Sequence, residues 1–337
     1  MPPAATSLTT VRTVSYAFIG ALFLLVVALR LTPLLLAVLF GYFILDKLHF
    51  NRSHGKWMAV TLFLALAAVI AQALVFFIRD TLEGLPEIVD KSVPSVIRFA
   101  NEYGVELPFT DFDSLRCFIM ESVTHQLQFL GHLARGATLE IVYLVVGGVA
   151  AISLFLHPQI ELDRAGGDQP RNLYSFYGDE IAQRFASFYH SFSTVMGAQI
   201  AISAINTLLT AIFVLAMDMP HPVIIIGVTF SCGLVPVIGN LVSNTIITII
   251  GFTVSPQMAL IALLFLIVIH KLEYFLNSRI IGSRIRTPVW LMLLGLIVGE
   301  RTMGLCGMIL APVLLYYLKV ETAKLAVVEG AKDAPPS

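Results

Sequence analysis

Long apolar runs separated by short polar breaks dominate this chain. Residues 14–29 are apolar, Arg30-Leu31-Thr32-Pro33 interrupts them, and 34–45 resumes. That pattern predicts two helices in a tight hairpin, with Arg30 snorkelling at an interface. The run at 59–78 follows Trp57, which stands where amphipathic rings meet the membrane boundary. Runs at 139–156, 195–217 and 258–276 are also long enough to cross a hydrocarbon core of about 30 Å. Two further runs, 223–253 and 290–318, are apolar but broken. Pro236, Gly239 and Asn240 interrupt the first; the stretch from Gly299 to Gly304, followed by Gly307 and Pro312, interrupts the second. Proline removes a backbone donor and clashes with the preceding turn. In a bilayer such a break must be buried in protein or face water, so broken segments point to gating and substrate sites. A plain kink, or a loop between two spans, is the structural alternative.

Residues 79–138 differ in kind. They hold no spanning run, and their acids outnumber their bases. Leu82, Leu85, Ile88, Val89, Val93, Val96, Ile97 and Ala100 recur at helical spacing, as do Leu115, Phe118, Ile119, Val123, Leu127, Leu130 and Leu133. Two amphipathic helices outside the bilayer follow, their apolar faces needing either the membrane surface or neighbouring subunits. Residues 159–193 are polar, and 174–192 read as an amphipathic lead-in helix carrying Arg184.

Composition strengthens this reading. Hydrophobic residues make up 57% and charged residues 13%, against about 25% charged in soluble domains, and the mean hydropathy is +0.86. The expected fold is an all-α polytopic membrane protein with about five full spans, two broken or re-entrant hairpins and an extracytoplasmic amphipathic segment. Its segments are 1–78, 79–138, 139–193, a transport core at 194–320, and a polar tail at 321–337. No cleavable signal is evident near Met1. Cys117, Cys232 and Cys306 lack metal or pairing spacing.

Lysine and arginine bias sets orientation. The patch at 47–56, the 159–193 loop and the C-terminal tail vote for the cytoplasm, while 79–138 votes for the outside. With both termini inside, the basic loop of Arg279, Arg284 and Arg286 faces the cytoplasm only if 223–253 enters and leaves on one side. The same treatment of 290–318 keeps Lys319 inside. Span and hairpin then alternate twice in opposite senses, the inverted-repeat plan of many secondary transporters.

The same residues carry a family likeness. V-P-V-I-G-N at 235–240, L-E-Y-F-L-N-S-R-I-I-G at 272–282 and G-E-R-T-M-G-L-C-G-M-I-L-A-P-V at 299–313 resemble the motifs of the autoinducer-2 exporter family of bacterial membrane proteins. Tyr274, Arg279, Asn240, Asp218 and His270 depart from its usual residues. The resemblance implies a secondary transporter of the bacterial inner membrane, exporting a small polar solute or signal molecule. It also implies, together with the amphipathic faces, a homo-oligomer.

Glu273 matches a family motif and is an acid in an apolar segment, which is costly unless paired or protonated. His270 lies one helical turn earlier, so the two suit proton coupling; an interfacial Glu273 bonded to Arg279, Arg284 or Arg286 is the alternative. Asp218 is a third coupling candidate or a turn residue. Gln199, Asn206, Ser243 and Asn244 offer neutral hydrogen bonds to a small polar solute, or glue between helices. Glu300 and Arg301 either meet cargo at a hairpin tip or pair with each other. There is no H-E-x-x-H, G-x-S-x-G or Walker loop, so neither an enzyme nor an ATP-driven pump is expected, and no cofactor or nucleic acid is implied. Three readings remain: a proton-coupled exporter, a sodium/proton antiporter, and a non-transporting membrane scaffold.

Overall fold

The computed structural model describes residues 8–49, 55–104, 139–157, 173–235, 238–280 and 288–324, and among them it contains helices and no strands. The helices are α1 (Leu8–Ala28), α2 (Thr32–Leu48), α3 (Gly55–Glu102), α4 (Leu139–Leu156), α5 (Leu173–Ala216), α6 (Pro222–Gly233), α7 (Ile238–Val254), α8 (Pro256–Ile280) and α9 (Val289–Ala323). By length and composition five reach membrane-crossing size: most of α3, α4, most of α5, α8 from Pro256 to Glu273, and α9 from Trp290, the last of which is broken within. The chain breaks between α1 and α2 at Arg30, whose φ of 55° is left-handed. The polytopic helical architecture expected from the apolar runs is therefore present.

Two compact units form, neither contiguous in sequence. One comprises residues 30–160 and 197–284, and so holds α2 to α4, the second part of α5, and α6 to α8. Its larger core gathers Ile88 of α3, Val214 of α5, Ile224 and Ile225 of α6, Ile247 and Ile250 of α7, and Ala262 and Leu266 of α8. Phe213 stacks on Phe265 with ring centroids 4.0 Å apart beside it. A smaller core joins α2, α3 and α4 through Leu45, Val60, Phe63, Ala151 and Phe155. Lys56 donates to the carbonyl of Leu156 at 3.1 Å, placing a cation on the last turn of α4.

Within this unit α3 runs unbroken for 48 residues, about 70 Å at 1.5 Å per residue. The span expected at 59–78 and the amphipathic stretch from Arg79 onward are therefore one rod. Part of the amphipathic face is covered within this unit, while Leu82 stays exposed. Ile88 joins the core, Val93 and Ala100 are buried, and Phe99 meets Phe252 of α7 edge-on at 5.6 Å. The second expected amphipathic helix, at 115–133, lies outside the described residues.

The other unit comprises residues 1–29, 161–196 and 285–337, and so holds α1, the first part of α5, and α9. Phe188 of α5 packs edge-on against Phe23 of α1 at 4.9 Å and Tyr317 of α9 at 5.5 Å. Although α9 is nominally one helix, its backbone leaves helical geometry at Gly304, with φ 62° and ψ −146°. Such a backbone suits glycine because any Cβ would be strained there. The chain reverses at that point: a Cβ on Gly299 would lie 2.5 Å from the carbonyl oxygen of Gly307. Eight residues of straight helix would separate those positions by about 12 Å. Gly295 likewise faces Ala311 and Leu315. The run at 290–318 is thus a helical hairpin with arms 289–303 and 305–323. Pro312 lies inside the returning arm and is buried, so the turn itself belongs to Gly304.

Candidate functional site

The α6–α7 pair is the second hairpin. Its first arm opens on Pro222, which is tolerated at the start of a helix because its missing N–H would have no partner there. Its arms meet where Val235 donates to the carbonyl of Cys232 at 2.9 Å and Gly239 donates to that of Val235 at 3.2 Å. Pro236 itself falls outside the described residues. Gly239 sits directly against the carbonyl of Cys232, where a side chain would collide with backbone. Close passage of the two arms therefore depends on that glycine. Gln199 of α5 donates to the carbonyl of Gly233 at 2.6 Å, and Ser203 to that of Phe230 at 2.9 Å. These bonds use carbonyls near the end of α6 that lack an intrahelical partner. Gln199 is thereby engaged in holding the hairpin.

Beside the tip, Asn240 donates its side-chain amide to the carboxylate of Glu273 on α8. Glu273 is only 8% exposed. The side chains of Arg279, Arg284 and Arg286 are outside those described, and the described contact of the acid is this neutral amide. Glu273 and Asn240 open on a small cavity shared with Asn206, Ser243, Asn244 and His270. Its interior is about 10 Å³, close to the room one water molecule needs. Ser243 donates to the backbone of Asn240 at 3.2 Å. Asn206 is 5% exposed, and its side-chain oxygen has no hydrogen-bond partner. A buried acceptor left unmatched costs about 1–3 kcal/mol, so it stands out in an otherwise satisfied wall. His270 borders the cavity with its ring exposed.

The hairpin of α9 carries a different tip. Glu300 and Arg301 pair at 3.8 Å and are exposed, with 54% and 84% of their side-chain surfaces open. Asp218 lies elsewhere again, in the turn between α5 and α6, bordering a separate cavity with Glu87, Lys91 and His221.

The family model described as AI-2E family transporter matches residues 13–326. The chain belongs to the AI-2E transporter family. It is also similar to YdbI of Bacillus subtilis (strain 168), whose name describes it as a transport protein. The two are 30% identical over 148 residues, which are 43% of this chain and 42% of YdbI. The chain thus matches less than half the length of that relative. The family is one described as transporters, and the relative's name points the same way.

Of the candidates read from the sequence, the structure brings Glu273, Asn240, Asn206, Ser243, Asn244 and His270 to one cavity. It places Asp218, Gln199 and the Glu300–Arg301 pair outside it. Sequence reasoning missed a second buried charge. Glu321, at the boundary of the supposed tail, is helical and 3% exposed. It accepts from Arg184 at 2.9 Å, Tyr16 at 3.0 Å, Lys324 at 2.6 Å and also from Ser187. Arg184 additionally bonds Glu180 at 2.8 Å and lies over the ring of Tyr16 at 4.3 Å. One cue was present: an arginine on the apolar side of a lead-in helix demands an acid. Nothing in the sequence said that the acid would come from a position 137 residues away.

Proposed function

We propose that the chain is a secondary transporter that exports a small polar solute, such as an autoinducer-2-like signalling molecule, across the bacterial inner membrane. Protons drive it, and Glu273 carries the coupling. The observation behind this reading is the burial of Glu273 beside a neutral amide at a hairpin tip. A lone carboxylate in a low-dielectric wall is expensive, and a bound proton or small cation removes that expense. A hairpin that shifts relative to α8 changes the partner of Glu273, so binding and release of that ion follow the movement. Both termini face the cytoplasm, and the two hairpins are re-entrant from opposite sides as an inverted pair. The solute path runs past Asn244 and His270.

A second reading, sodium/proton antiport, is favoured by one observation. The cavity at Glu273 has room for a single water-sized body and is bordered by side-chain oxygens, including the unmatched one of Asn206.

The test is flux in proteoliposomes under an imposed pH gradient, comparing the native chain with Glu273→Gln. Proton movement dependent on a polar solute and reduced at least about tenfold in the variant supports coupled export. Sodium-dependent movement without solute supports antiport. Unchanged flux in Glu273→Gln removes this carboxylate from the mechanism.

A further inference from the structure

A larger cavity lies at the opposite end of the α6–α7 hairpin, where Thr253 closes α7. It encloses about 300 Å³ between Glu87 and Lys91 of α3 and the turn that joins α5 to α6, the lower end of the range for small-molecule sites. The turn is held in an uncommon shape: Asp218 and His221 have φ of 49° and 54°, a left-handed backbone that disfavours residues with a Cβ. Met219, between them, is 4% exposed and packed into the apolar core, which anchors the turn. The ring of His221 rests on α3 at Gly84, where an added Cβ would lie 2.9 Å from Nδ1. That seating leaves Nε2 3.7 Å from the Glu87 carboxylate.

The charges are unequal. Lys91 donates to Glu87 at 2.6 Å. That bond first, then the charge of Lys91 and that of His221, hold the Glu87 carboxyl below the usual carboxylate range. Glu87 is therefore an anion already balanced by Lys91. Asp218 is exposed, and among the described residues no ion pair engages it. Among the described residues lining the cavity, two carboxylates and one ammonium leave an excess of one negative charge. The charged groups around His221 are Glu87 and Lys91 from α3 and Asp218 from its own turn, while α7 presents Thr253 and Val254.

We propose that this cavity binds a small organic cation, an ammonium-bearing solute held by Asp218 and by the remaining acceptor positions of Glu87. An ammonium supplies donors where the cavity has acceptors, and its charge cancels the excess. The site is separate from Glu273, and binding here requires no transport.

Ethanolamine is a suitable probe, with ethylene glycol as its uncharged match in size, each titrated calorimetrically into the full chain in detergent micelles. At pH 7.5 ethanolamine binds saturably and ethylene glycol at least about tenfold more weakly. Asp218→Asn lowers ethanolamine affinity about tenfold with an unchanged melting temperature, since asparagine accepts the left-handed backbone readily. Equal binding of the two probes, unchanged affinity in Asp218→Asn, or no saturable ethanolamine binding overturns the proposal.

Discussion

In the α6–α7 hairpin the acid beside the tip, Glu273, comes from the neighbouring α8, is buried, and is met by the neutral side chain of Asn240. In the α9 hairpin the tip acid, Glu300, belongs to the hairpin itself, is exposed, and stands 3.8 Å from the adjoining Arg301. The buried acid of that second unit lies instead at the base of the returning arm. There Glu321 is surrounded by a guanidinium, an ammonium and two hydroxyls. The two buried carboxylates thus occupy opposite electrostatic situations. A full set of cationic and hydroxyl donors holds Glu321 as an anion and fixes three helices around it. A single amide leaves Glu273 able to exchange partners. Burial is common to both; the number and charge of the donors is what separates them.

Both hairpins rest on backbone contact at glycine, and the largest effects are expected where that contact is blocked. Gly307→Val in α9 and Gly239→Val in α7 each insert a side chain against a carbonyl that cannot give way. Each is expected to lower stability by about 3 kcal/mol or more, read as a large drop in thermal midpoint or a loss of monodisperse protein. Gly304→Ala meets no neighbouring atom but takes a backbone that L residues rarely adopt, and should cost less, about 1–3 kcal/mol. A result in which all three behave alike would mean that the arms do not pass as closely as described.

Next in size is the contrast between the ion pairs. Arg184→Gln leaves Glu321 without its buried guanidinium and should cost about 3–5 kcal/mol. Arg301→Gln, at an exposed pair, should leave the melting temperature essentially unchanged. Equal shifts in the two variants would remove the distinction between a fixed and an open charge site.

The smallest and most discriminating change is Asn206→Leu. It removes a buried acceptor that has no partner and nearly conserves volume. Stability should hold or rise by about 1 kcal/mol, while ion-coupled flux falls. If flux is untouched, the unmatched oxygen has no part in the site. If stability drops sharply instead, that oxygen is satisfied in the membrane and the cavity is smaller than it looks.

Much of this molecule is readable from one dimension. Apolar run length predicts the spans because a bilayer sets a minimum helix length and forbids unpaired backbone. The breaks near Gly239 and Gly304 are visible because glycine and proline are local devices, and Glu273 is conspicuous because an acid is costly in an apolar run. Other features were not readable. The continuity of α3 across residue 79 depends on its amphipathic face finding α7 rather than a membrane surface. The assignment of Asp218 to a cavity apart from Glu273 depends on which end of the hairpin each adjoins. Among the acids of the chain, sequence pattern cannot separate Glu300 from Glu321, since polarity says nothing about what will later cover a side chain.

By itself, then, the sequence determines a multi-pass helical membrane protein, the places where its helices must break, and one acid that must be accounted for. Local rules suffice for these, because helix length, backbone hydrogen bonding and desolvation act within a few residues. Only the tertiary structure decides that Asn240 is the partner of Glu273, that Asn206 is left unmatched beside them, and that Arg184 meets Glu321 across 137 positions. Those are outcomes of packing. Which donors reach a buried charge depends on helices brought together by apolar surfaces that carry no record of the polar groups they will enclose.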